Sequence, residues 1–138
     1  MSQYVDGFVL PVPNDNLEAY REMAADAGRH WIDHGALQYV ECVGEDLHPE
    51  VGDETITAFP DLTGVGADES VIFAFIIFES REHRDEVNAA VMAAMESIDG
   101  TEEVEMPFDV ARMAYGGFDT LVAYQAEQSD EASIGTTS

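Results

Sequence analysis

Lysine is absent from this 138-residue chain, whose cations are Arg21, Arg29, Arg81, Arg84 and Arg112. Nucleic-acid binding rests on basic side chains gathered against phosphates, so a nucleic-acid partner is excluded. A single cysteine, Cys42, excludes an internal disulfide framework. The longest apolar run, Val71 to Phe78, falls far short of the ~20 residues that a membrane span requires. No basic leader with an apolar core opens the chain. A cytoplasmic protein with no membrane partner is the expectation. The EF-hand calcium loop, the P-loop, the G-x-S-x-G elbow and cysteine clusters are all missing. Thr63-Gly64-Val65-Gly66 is a lone G-x-G that carries no weight, so no cofactor is expected.

What the chain has in excess is acid. There are 29 Asp and Glu residues and a net charge of −24, spread through nearly every polar segment. No acidic stripe of the kind that mimics nucleic acid is formed. At ordinary salt such a surface repels itself strongly, whereas a Debye length of ~3 Å at 1 M salt screens most of that repulsion. The composition therefore reads as a halophile's cytosolic protein. Lowering KCl from molar to about 0.1 M should lower the melting temperature, because screening is lost. A melting curve unchanged across that range would count against a salt-adapted surface.

Val71 to Phe78 is unbroken by any polar residue and rich in β-branched and aromatic side chains. A strand with one wet face alternates; this one reads as buried on both faces. Around it the chain is punctuated in order. Tyr4 to Leu10 is a strand that Pro11 and Pro13 stop. Asn14 or Asp15 caps a helix to about Asp33, with Leu17, Tyr20, Ala24, Ala27 and Trp31 on its apolar face and Gly35 after its end. Ala36 to Val43 is a second strand. Residues 45–69 are acidic and turn-rich, with a strand-like piece at Thr55 to Phe59. Ser80 caps a second helix whose buried stripe is Val87, Ala90, Val91, Ala94, Met95 and Ile98. A connector at 99–110 leads to a last strand, Arg112 to Tyr124, where Gly116-Gly117 marks a bulge or a close approach.

Strand, helix, strand, strand, helix, strand is the βαββαβ ferredoxin-like pattern of an α+β protein. Right-handed crossovers place both helices on one face of an antiparallel sheet whose central strands are the first and third. The other face stays apolar and needs a second molecule, which gives a homodimeric α+β barrel. Residues 1–124 form this one domain, and 125–138 form a disordered acidic and polar tail.

The candidate site residues are carboxylates inside strands. Asp6 and Glu41 sit among apolar neighbours, where an unpaired charge is costly. Arg112, opening the strand beside the first, is the expected partner of Asp6, and Tyr39 and Tyr115 add hydroxyls. This is either a polar cluster lining a ligand pocket or a structural ion pair at a sheet edge or dimer seam. His30 and His34 share a helix face at the i, i+4 spacing that suits metal ligands. Lacking the H-E-x-x-H glutamate and a third ligand, they do not make a metal site. Cys42 reads as an inert thiol. Arg81, Arg84, Asp85 and Asn88, on one turn of the second helix, read as capping and i, i+4 pairing.

Four blocks also resemble a known family. They are Tyr4-Val5-Asp6-Gly7-Phe8-Val9-Leu10-Pro11-Val12-Pro13; His34-Gly35-Ala36-Leu37 with Tyr39-Val40-Glu41-Cys42; Ser80-Arg81 with His83-Arg84-Asp85 and Val87-Asn88; and Met106-Pro107-Phe108-Asp109 with Arg112-Met113 and Tyr115-Gly116-Gly117-Phe118. In this order they are similar to the YbaA-like family of uncharacterised proteins, over roughly residues 4–124. The resemblance implies a dimeric α+β barrel and leaves the activity open. The expected function is thus a cytosolic homodimeric barrel that binds a small-molecule ligand, with no assigned reaction. The alternative is a cofactor-independent monooxygenase of the same barrel type, an analogy of fold alone.

Overall fold

Period-two alternation in the strands and i, i+3/i+4 stripes in the helices sort the side chains into two faces. The computed structural model describes residues 3–48, 50, 52, 56–99 and 106–126. The elements run β1 (Tyr4–Pro13), α1 (Leu17–Asp33), β2 (Gln38–Val43), α2 (Phe59–Thr63), β3 (Glu69–Phe78), α3 (Arg81–Asp99) and β4 (Ala114–Asp119). The sheet order is β2-β3-β1-β4, with every pairing antiparallel. This is the ferredoxin-like arrangement, with β1 and β3 central.

Even-numbered residues of β1 and β3 point toward α1 and α3. Leu10, Val12 and Ile72 pack with Tyr20 and Ala24 of α1. Ile76 and Phe78 pack with Ala36 and with Val87 and Val91 of α3. The side chain of Ile98 and residues 100–105 and 127–138 lie outside the described residues.

Several boundaries differ from the sequence reading, each for a local reason. β1 continues through Pro11 and Pro13, paired with Val71 and Glu69 of β3. Its pairing with β4 ends at Val9, so the prolines lie where one side of β1 has no partner strand. A short 3-10 turn, Asn14–Asn16, precedes α1, and Asn14 accepts from Ser70 Oγ at 2.6 Å instead of capping the helix. Ser80 does cap α3, its Oγ accepting from the His83 N–H at 3.1 Å. Gly35 follows α1 in the left-handed region, at φ 119°. Ile56 to Ala58 are not in a strand, and Phe59 opens the short helix α2, with Pro60 in its first turn, where a missing N–H costs nothing. β4 pairs residue for residue with β1, so Gly116-Gly117 is no bulge. It is a close approach instead: a Cβ on Gly117 would meet the Tyr4 ring, with Cε2 at 2.8 Å.

The face away from α1 and α3 carries Val5, Gly7 and Val9 of β1, Val40 and Cys42 of β2, Phe73, Phe75 and Ile77 of β3, and Ala114, Gly116 and Phe118 of β4. Its polar members stand at strand ends, Gln38 on β2 and Glu69 on β3, the latter paired with Arg112 at 2.7 Å; the stretch between them carries no charge, in a chain where charged residues make up 25%. Part of the cover comes from the chain itself. α2 contacts β1 and β3, and Phe59 and Leu47 close over Val71 beside Phe73. The remainder is open: Phe73 is 45% exposed and Phe118 59%. Beyond β4, anchored through Thr120 to the Gln3 carbonyl, Leu121, Val122 and Tyr124 stand 95%, 70% and 96% exposed.

Candidate functional site

β2 is an edge strand, and along its free side it forms an open groove with α1. Alternation turns Tyr39 and Glu41 toward the helices, opposite Ile76 and Ala74 of β3. From α1, Tyr20 reaches down to the same carboxylate. Tyr20 donates to Glu41 Oε1 at 2.6 Å and Tyr39 donates to Oε2 at 2.7 Å. Gly28 lets the Tyr39 ring lie against α1, since a Cβ there would stand 2.8 Å from Tyr39 Cδ1. Burial first, then the bond to Glu41, pushes both phenols well above the usual tyrosine range. They therefore stay protonated and serve as fixed donors. The groove encloses about 860 Å³, with Ala24, Gly28, Ile32, Val43 and Ile72 among its walls. That is the size range of small-molecule sites.

A second polar cluster lies two strand spacings away, roughly 10 Å across the sheet. Asp6, 1% exposed, accepts from Arg84 Nη1 at 2.8 Å and from Asn88 Nδ2 at 3.4 Å. Arg84 also donates to the Tyr115 hydroxyl at 2.9 Å and to Asp85 at 2.8 Å, and lies 5.0 Å over the Tyr4 ring. Tyr115 stacks on Phe8. Burial pushes the Asp6 carboxyl up, against the Asn88 hydrogen bond and the Arg84 charge that pull it down. Trp31 joins the two clusters: its Nε1 donates to Asn88 Oδ1 at 2.9 Å, and its ring lies 6.1 Å from that of Tyr39.

The five expected residues thus fall into three places. Tyr39 and Glu41 come together, and so do Asp6 and Tyr115. Arg112 joins neither group. It sits in a 3-10 turn, Val110–Arg112, and bonds Glu69 at 2.7 and 3.0 Å and the Gly64 carbonyl at 2.8 Å. The antiparallel register sets Asp6 opposite Gly117, five residues along from Arg112 and on the order of 15 Å away. Arg84 takes the role instead. The sequence signal for it was present: Arg84 and Asn88 are i, i+4 on α3, flanking the buried Val87. Tyr20 had been assigned to the core stripe, where its ring does lie, but its hydroxyl belongs to Glu41.

His34 Nδ1 donates to the His30 carbonyl at 2.8 Å, a local contact at the end of α1. Among the described residues no three His, Cys, Asp or Glu side chains gather around a common point. No helix among them is long and apolar enough to cross a membrane.

Comparison with known proteins identifies the family. The model of a family described as a protein of unknown function, DUF1428, matches residues 3–110. The chain belongs to the DUF1428 family. Within the range of its relatives, the uncharacterised protein YbaA of Escherichia coli K12 is 41% identical over 120 residues, covering 87% of this chain and 97% of that protein. YbaA of Shigella flexneri matches with the same identity and coverage. A crystal structure described as a dimeric ferredoxin-like protein from an uncultured marine organism superposes with a TM-score of 0.47 at 7% identity, covering 91% of this chain and 100% of that one. Both polar clusters of this DUF1428 chain lie within the matched residues except Tyr115.

Proposed function

We propose that this DUF1428 protein is a cytosolic homodimer that holds a small ligand in the groove between α1 and β2, with no reaction assigned to it. The observation that carries the reading is the groove itself: about 860 Å³, walled by apolar side chains, around a carboxylate held by two tyrosine hydroxyls. A few fixed polar groups in an apolar cleft is the usual make-up of a small-molecule site. Dimerisation is supported by the uncharged centre of the sheet's outer face and by the apolar residues after β4 that no part of the described chain covers. A two-fold axis makes such a face its own complement. The acidic surface supports a salt-rich cytosol. The monooxygenase reading has no comparable support, since a shared fold hosts many unrelated chemistries.

A thermal-shift screen of a small-molecule library in molar KCl tests the groove. A ligand at a hundredfold excess over its Kd stabilises the fold by about 2.7 kcal/mol. Such hits should vanish in Ala25→Trp, which fills the groove from the exposed side of α1. Hits that survive that substitution would move the site elsewhere and overturn the proposal.

A further inference from the structure

Inside the groove one charge stands without a counter-ion. Glu41 lies part-buried with each oxygen taken by a neutral tyrosine hydroxyl. A neutral hydroxyl donor does not cancel a carboxylate's charge. Among the described residues, no Arg or His nitrogen comes within ion-pair distance of it. The two cations on the rim are engaged elsewhere: Arg21 pairs with Glu18 at 3.4 Å and Arg29 with Asp26 at 3.2 Å, both well out in solvent. The contrast with Asp6 is direct, since that carboxylate has Arg84 at 2.8 Å.

A carboxylate has about four acceptor positions, so each Glu41 oxygen keeps one for a donor arriving from the groove. Around it lie the Tyr39 ring and the apolar walls Ala24, Ile32, Val43 and Ile72. Asp33 adds further negative charge at the rim, where Glu18 is matched by Arg21. An anionic ligand would meet two unmatched carboxylates, Glu41 and Asp33, while the rim cations Arg21 and Arg29 are each already paired. A positively charged nitrogen would meet a fixed counter-ion, and an aromatic face beside it adds attraction.

Resting on the reading of the groove as a ligand site, we infer that its ligand is an organic amine, bound as the ammonium with its nitrogen on Glu41 and an apolar body along α1.

Three probes of one shape and different charge test this: 3-phenylpropylamine, 3-phenylpropanol and 3-phenylpropionate, titrated by calorimetry into the full chain in molar KCl. The amine is expected to bind at least about tenfold more tightly than the alcohol, a modest ratio for one charge-assisted contact, and the propionate not measurably. Glu41→Gln keeps the shape and should remove the amine's preference over the alcohol. Tyr39→Phe, which frees one carboxylate oxygen, should weaken the amine less than Glu41→Gln does. Equal or tighter binding of the alcohol or the propionate to the wild-type chain would overturn the assignment, as would an amine preference that survives Glu41→Gln. If none of the three binds, the amine assignment fails, while library hits blocked by Ala25→Trp would still uphold the groove. Failure of both sets would remove the groove reading as well.

Discussion

Arg84→Ala should destabilise the fold by about 3–5 kcal/mol, the usual loss when one partner of a buried ion pair is removed. The side chains are 12% and 1% exposed and 2.8 Å apart, so solvent replaces little of what the substitution takes away. Asp6 would keep the longer Asn88 bond and its bond with the neutral Tyr115 hydroxyl, but no counter-ion. Its carboxyl already sits above the ordinary range because of burial, and Arg84 is one of the groups pulling it down. Without that pull it rises further. A raised acid binds its proton in the folded state at pH values where the unfolded chain has released it. Stability then falls as pH climbs from the unfolded aspartate value, ~3.9, through the folded one. The gap between wild type and Arg84→Ala in urea midpoints should therefore be widest at neutral pH and narrow on acidification. Adding Asp6→Asn to Arg84→Ala should recover much of the loss, since no charge is then stranded. A variant within 1 kcal/mol of wild type at neutral pH, on the order of a surface substitution, would show that the pair does not hold β1 to α3.

Phe73→Asp should abolish the dimer while leaving the chain folded. Phe73 is 45% exposed in the single chain and points away from α1 and α3, with Phe75 at 6.1 Å between ring centroids. Its register neighbours are Cys42 on one side and Val9 on the other, so the position belongs to the uncharged centre of that face. In a face-to-face dimer the substitution forfeits ~1.5–3 kcal/mol of aromatic burial at each copy and leaves an unpaired carboxylate in an apolar seam, a cost of several kcal/mol more. Together these raise the dissociation constant by more than about a thousandfold. Light scattering in molar KCl should give twice 15.1 kDa for the wild type and one chain mass for the variant. A well-folded wild-type chain at 15.1 kDa would end the dimer proposal. The same change one residue along has a different meaning. Ala74 is buried against the helices, so Ala74→Asp should unfold the chain whether or not it dimerises.

The fold was legible because its signals are periodic. Val71 to Phe78 has no polar residue to mark a face, yet the two helical stripes and the strand count leave little choice of topology. Which of Phe73 and Ala74 points outward was not legible; it follows from the β1–β3 register, which no local pattern sets. The site was half legible. Tyr39 and Glu41 are two apart in a strand and so share a face on any register. Arg112 was misplaced because nearness of strands was taken for nearness of residues, while the register offsets it by five positions. Arg84 was passed over because its neighbours Arg81 and Asp85 explain such a turn equally well by surface pairing. Thr55 to Phe59 reads as strand-like because it is β-prone; Ile56 to Ala58 are not in a strand, and Phe59 instead opens α2, whose first turn holds Pro60.

Trp31 gives the molecule an optical property that the two clusters do not have separately. It is the chain's single tryptophan, so its emission comes from one place, between the Tyr39 ring and the Asn88 amide. An indole whose N–H bonds a neutral amide and whose ring lies near the groove wall responds to the polarity on both sides. Solvent leaving the groove and loosening of the Asp6–Arg84 pair would reach the same fluorophore. The protein is thereby its own spectroscopic reporter, with no label to perturb the acidic surface.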